Sequence, residues 1–241
     1  WALIFTLAVF IYFKAKDYYA IGLYPIYIAF GAVFLADILK DGWKRYLQPI
    51  AITVPVLFFI PMYNFAFPNR SPEYILQHQK RYKELGMLRW EDGKDHALPQ
   101  DFADMLGWKE LASKVDRIYS TLPEPHKTLV LCDNYGQAGA INYYTKNRIR
   151  AVSFNADYVN WFNLDQPYNR LIRVKTYTGT DSELEETSLY FHTSLVSDSI
   201  TNPFAREYRT TIYTFIGAKV NINKRIQAEI DETKKTIADD P

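Results

Sequence analysis

The sequence predicts a helical membrane region, the last two to three transmembrane helices of a bundle, followed by a water-soluble α/β domain. Three observations carry this. Residues 18–36 and 46–69 are uncharged runs of 19 and 24 residues, and roughly 20 apolar residues span a bilayer at about 1.5 Å of helix rise each. Charge is concentrated beyond them: residues 1–67 hold five Lys/Arg and three Asp/Glu, whereas residues 68–241 hold 23 and 24. In that second part, short apolar runs alternate with helical periodicity, the pattern of an α/β layer.

In order, residues 1–13 are uncharged and begin with Trp. They read as the remaining half of a span, so the chain is expected to be the C-terminal portion of a longer membrane protein. Lys14-Ala15-Lys16-Asp17-Tyr18-Tyr19 then forms a charged, aromatic hinge. A second span is expected over 20–39, with Pro25 near its start and Asp37 near its end, and a third over 50–67, with Pro55 and Pro61. Membrane helices tolerate such prolines where neighbours satisfy the freed carbonyls. Burial of these runs in a soluble core is the competing reading, but three of them within 67 residues exceed what one small core absorbs. Tyr18, Tyr19, Tyr24 and Tyr27 gather at one end of the second span, and Tyr63, Phe65 and Phe67 at the exit of the third, as interfacial aromatics do. The loop at 40–45 has three basic residues in six. The positive-inside rule places it in the cytoplasm, and the hinge and tail on the periplasmic or extracellular side of a multi-pass cell-membrane protein.

The tail, residues 68–241, is long enough for one domain with its own core. A helix is expected over 72–85. A second is expected over 103–122, where Leu106, Leu111, Val115, Ile118, Tyr119 and Leu122 recur at helical spacing before Pro123. The run 128–132 reads as a buried strand, followed by a turn and a helix. Strands are further expected at 148–154, 171–177, 189–191 and 209–216, and a charged helix over 222–237 closes the chain. The alternation points to a βαβ-type layer.

Composition narrows the chemistry. The formal net charge is +1, without the basic bias of a nucleic-acid binder, so no nucleic acid is expected as a partner. The N-terminus lacks the basic n-region and cleavage site of a signal peptide. A single cysteine, Cys132, excludes an intrachain disulfide and falls in an expected strand, where it reads as a small buried apolar residue. The four histidines show no zinc-ligand spacing, and Gly-x-Ser-x-Gly and phosphate-cradling P-loop motifs are missing. No metal ligand and no cofactor is assigned from the sequence, and the need for a divalent metal stays open.

Two segments could carry a site. Lys16 with Tyr18 and Tyr19 at a bilayer surface could hold a phosphate through charge-assisted and hydroxyl hydrogen bonds; lysine snorkelling and a tyrosine belt give the same composition without a ligand. The turn Asp133-Asn134-Tyr135-Gly136-Gln137-Ala138-Gly139-Ala140 leads from strand to helix N-terminus, an anion-friendly arrangement in which Tyr135, Gly136, Gln137 and Gly139 are the candidate ligand residues. Glycines that merely permit close helix–strand packing are the alternative. Trp90, Trp108 and Trp161 could stack on a sugar ring or fill the core.

Three stretches together resemble one family. Lys16-Asp17-Tyr18-Tyr19 with Leu23-Tyr24-Pro25, Asp101-Phe102-Ala103-Asp104-Met105-Leu106-Gly107-Trp108, and Asn134-Tyr135-Gly136-Gln137-Ala138-Gly139-Ala140-Ile141 are similar to bacterial family 39 glycosyltransferases. These are GT-C enzymes related to protein mannosyltransferases and to the lipid A aminoarabinose transferase. The resemblance runs from about residue 14 to 161. It implies an integral membrane enzyme that transfers a sugar from a polyprenyl-phosphate donor to a glycan, lipid or protein acceptor outside the cytoplasm. It also implies that Lys16 and Tyr18 or Tyr19 approach the donor's phosphate and neutralise the leaving group. The family's catalytic acid lies in an early external loop to which no residue here corresponds, so no catalytic residue is expected in the chain. A membrane-anchored α/β module binding a glycan or partner protein, and a soluble nucleotide-binding enzyme using the turn after Cys132, remain the other readings.

Overall fold

Apolar helices occupy the start of the chain and a mixed sheet the remainder. The computed structural model describes the chain apart from residues 14, 16, 68, 180–181 and 240–241, and apart from the side chains of 17, 64–66 and 237–239. Two compact units result, Trp1–Asn69 and Arg70–Pro241.

The first unit contains α1 (Ala2–Tyr12), α2 (Tyr24–Ile38) and α3 (Gln48–Ala66), with 3-10 turns at Asp17–Leu23 and Gly42–Leu47. Each 3-10 turn runs into the next helix, so helical backbone is continuous over Tyr18–Ile38, 21 residues, and Gly42–Tyr63, 22 residues. Both are long and apolar enough to cross a membrane. Pro25 and Pro49 sit in the first turns of α2 and α3, where a missing N–H leaves no helical bond unmade. Pro55 and Pro61 lie inside α3, which continues through both. None of the residues in the most apolar stretch of either helix is buried, unlike the core helix of a soluble domain. Phe30, Phe34, Phe58 and Ile52 are among the large apolar side chains they expose.

The second unit is built on five strands: β1 (Thr128–Cys132), β2 (Ala151–Ser153), β3 (Arg170–Lys175), β4 (Phe191–Ser199) and β5 (Thr211–Ala218), in the order β2-β1-β3-β5-β4. β1 pairs in parallel with both β2 and β3, whereas β5 is antiparallel to β3 and β4. The helices are α4 (Pro72–Gln77), α5 (Gln79–Glu84), α6 (Gln100–Ala103), α7 (Trp108–Thr121), α8 (Tyr135–Tyr144), α9 (Glu183–Ser188) and α10 (Ile222–Asp239).

Strand alternation sends side chains to two cores. Val130, Cys132, Ile172, Val174 and Ile212 pack with Leu111 and Val115 of α7 and with Ala138 and Ile141 of α8. Leu129, Leu131, Leu171, Tyr213 and Phe215 pack with Ile222, Ile226 and Ile230 of α10, spaced one turn apart on one stripe. Each such aliphatic side chain contributes about 1.5–3 kcal/mol when fully buried.

Several boundaries differ from expectation for local reasons. The helix expected over 72–85 is broken at His78, whose backbone leaves the helical region between α4 and α5. The one expected over 103–122 is split into α6 and α7 by Gly107 at φ +87°, where a Cβ would lie 3.0 Å from that of Ala205. The sheet is mixed because β3, β5 and β4 form an antiparallel half. β4 begins where the short strand expected at 189–191 would end. As an edge strand half open to solvent it carries polar side chains that hide it from an apolar pattern.

Candidate functional site

At the hinge, Tyr18 and Tyr19 occupy the 3-10 turn that opens the first long apolar helix, with rings edge-to-face at 4.7 Å. Both are exposed. Lys14 and Lys16 lie outside the described residues.

The turn after β1 places its residues in different roles. Gln137 is 0% exposed. Its Oε1 accepts from the Asp133 N–H at 3.1 Å, and its Nε2 donates to Thr176 Oγ1 at 2.8 Å and Glu207 Oε2 at 2.6 Å. The Asp133 carboxylate pairs with Arg173 and, at 3.5 Å, with Lys175, and accepts from the Thr176 N–H at 2.9 Å. Arg173 reaches Glu183 at 3.4 Å. Asn134 caps α8 by accepting from the Gln137 N–H at 2.9 Å. This crevice beyond the carboxyl ends of β1 and β3 is where open α/β sheets commonly bind ligands. Here, side chains of the chain itself satisfy one another, and Arg173 and Glu183 also line a cleft of about 210 Å³. Tyr135 is exposed. A Cβ on Gly136 would lie 3.4 Å from the Trp108 ring, and one on Gly139 would lie 3.2 Å from the Tyr158 hydroxyl. Those are the close approaches that the packing explanation of the two glycines requires. Burial pushes the Cys132 thiol upward, against thiolate formation.

The other end of the same strands is different. β2 meets β1 only from Val130 onward, and beside the first residues of β1 a cleft of about 150 Å³ opens. Thr128, Arg148, Arg150, His126, Trp161 and Tyr168 are among its lining residues. A contiguous cleft of about 440 Å³ shares Arg148, Arg150 and Trp161 with it. Among the described residues, no carboxylate lines either one. Among the described residues, no hydrogen bond or ion pair engages the Arg148 or Arg150 side chain, and the buried Thr128 hydroxyl has no hydrogen-bond partner.

The backbone that presents the two arginines is held firmly. The Asp116 carboxylate accepts from Thr145 Oγ1 at 2.5 Å and from the Lys146 N–H at 2.7 Å. Asn142 exchanges two hydrogen bonds with the Ala151 backbone, at 2.9 and 2.7 Å. Ile149 is buried between the arginines, and both arginines are exposed. Arg148 sits at φ +55°, a conformation that costs a non-glycine residue on the order of 1 kcal/mol. Among the described residues, no group of three or more His, Cys, Asp or Glu side chains is placed to hold a metal ion.

Tyr18 and Tyr19 belong to the first unit, and Tyr135, Gly136, Gln137 and Gly139 to the second. Sequence reasoning named Trp161 but missed Arg148 and Arg150. The available signal was Arg148-Ile149-Arg150, an apolar residue between two cations. Compared with known proteins, the chain matches no protein-family model, no curated protein and no solved structure.

Proposed function

We propose that the chain belongs to an integral membrane glycosyltransferase that moves a sugar from a polyprenyl-phosphate donor to an acceptor glycan, lipid or protein. Its α/β unit lies on the periplasmic or extracellular side of the cell membrane. The observation that carries the reading is the exposed Tyr18–Tyr19 pair at the mouth of a 21-residue apolar helix. A helix of that length and composition suits a bilayer, and its first turn then lies at headgroup depth, where a lipid phosphate resides. The family resemblance around the same residues supports it, as do the three basic residues of the loop at 40–45.

In this reading the tyrosine hydroxyls donate to the donor phosphate, and the Lys16 ammonium neutralises the charge that builds on the leaving polyprenyl phosphate. No catalytic base is assigned to the chain. Tyr18→Phe with Tyr19→Phe separates this role from interfacial anchoring, because phenylalanine keeps the ring and removes only the hydroxyl. In the complete membrane-embedded protein, the pair combined with Lys16→Ala is expected to slow sugar transfer about tenfold or more, as loss of charge-stabilising donors does. Transfer at the unaltered rate would remove the hinge from the mechanism.

A membrane-anchored α/β module that binds a glycan or partner without catalysis is the second reading. The cleft beside β1, with its unpaired arginines, favours it.

A further inference from the structure

We infer that the cleft at the amino ends of β1 and β2 is a binding site for an anionic sugar, a single pyranose ring carrying a phosphate or carboxylate. The inference stands on the second unit alone and does not depend on the transferase reading.

Charge comes first. Arg148 and Arg150 flank the buried Ile149 and line both clefts, with no carboxylate beside them among the described residues. Elsewhere in this unit, Lys114, Arg173 and Arg206 are each matched to acidic side chains. Two guanidinium groups without a protein partner among the described residues, on a backbone held by Asp116 and Asn142, present donors to the planar oxygens of a phosphate or carboxylate.

The remainder of the lining fits a sugar better than a bare anion. Trp161 is 58% exposed. Its ring lies 4.2 Å from that of Tyr158, which backs one side and leaves a flat apolar surface for a pyranose. Asn163 Oδ1 accepts from the Asp165 N–H and Gln166 Nε2 donates to the Tyr168 hydroxyl, which leaves the Asn163 amide N–H groups and the Gln166 amide oxygen as a donor and an acceptor for sugar hydroxyls. At about 150 Å³, the inner cleft is of the size that takes one six-membered ring. A nucleotide, with base, ribose and phosphate, would need the adjoining cleft of about 440 Å³ as well.

The test titrates the purified full chain in detergent, by calorimetry, with glucose 1-phosphate, glucuronate, glucose, inorganic phosphate and uridine monophosphate. At least one of the two anionic sugars is expected to bind about tenfold more tightly than glucose or phosphate alone, since a hydrogen bond to a charged group is worth about that factor. Which of the two binds distinguishes a phosphorylated sugar from a sugar acid. Arg148→Asn combined with Arg150→Gln is expected to weaken binding about tenfold or more at an unchanged thermal midpoint; asparagine is chosen because it tolerates positive φ. Trp161→Ala, tested separately, should weaken sugar binding and leave phosphate binding untouched. The inference is overturned if neither anionic sugar binds, if the arginine variant binds as the natural chain does, or if phosphate or uridine monophosphate binds as tightly as the better sugar.

Discussion

The two ends of the parallel strands in the second unit treat some of their charged residues differently. Beyond the carboxyl ends of β1 and β3, Asp133, Gln137, Arg173, Lys175 and Glu183 bind one another, and Gln137 is sealed from solvent. At the amino ends, Arg148 and Arg150 face a cleft without a partner among the described residues. A charge whose partners are already present has its position fixed by folding and offers little to a ligand. A charge held in place without a partner is available to one. The comparison therefore separates structural polarity from binding polarity within a single sheet, and it moves attention away from the location that α/β topology would suggest.

Removing the closed end should do the most damage to stability. Gln137→Leu leaves Thr176, Glu207 and the Asp133 N–H without their amide partner. The expected cost is about 3 kcal/mol, because orphaned buried polar groups forfeit their desolvation energy. A denaturation midpoint equal to that of the natural chain would show that the network is not structural.

An intermediate effect is expected at Glu110, which ties α7 to the chain after β4. Burial pushes its carboxyl up, but hydrogen bonds from Lys114 and Thr201 outweigh this and bring it from 4.5 down to about 2. The depressed folded value means that the stabilisation is fully present above pH 4.5 and is lost as pH falls through about 2. Glu110→Gln should cost about 2 kcal/mol at neutral pH. It should also flatten the acid limb of stability, measured as thermal midpoint against pH; an acid limb as steep as the natural chain's would exclude the assignment.

The smallest stability effect belongs to the open end. Arg148→Asn with Arg150→Gln should change stability by no more than about 0.5 kcal/mol, the usual range for exposed substitutions outside any network. A loss like that of Gln137→Leu would mean that the arginines are structural after all, and the contrast between the ends would collapse.

Where local chemistry dominates, the sequence was legible. The strand at 128–132 is read correctly because five consecutive residues are buried and the run is short and apolar. The last helix, expected over 222–237, forms over Ile222–Asp239 and buries Ile222, Ile226 and Ile230, spaced one turn apart. The two long apolar helices follow from uncharged length alone. β4 was misplaced because an edge strand needs few apolar residues, and the break at Gly107 answers to Ala205, which is distant in sequence. The turn after β1 was recognised as strand–turn–helix, but Gln137 could not be seen as buried, since its partners Thr176 and Glu207 lie 39 and 70 residues away.

By itself, the sequence determined that the chain opens with apolar helices of membrane-crossing length and continues as an α/β unit, because hydrophobic length and periodicity act between near neighbours along the chain. Only the tertiary structure decided which polar groups are spent on one another and which stay available. That choice depends on which strands lie side by side and which residues from remote segments reach them, and pairing across such separations leaves no periodic trace in the order of the amino acids.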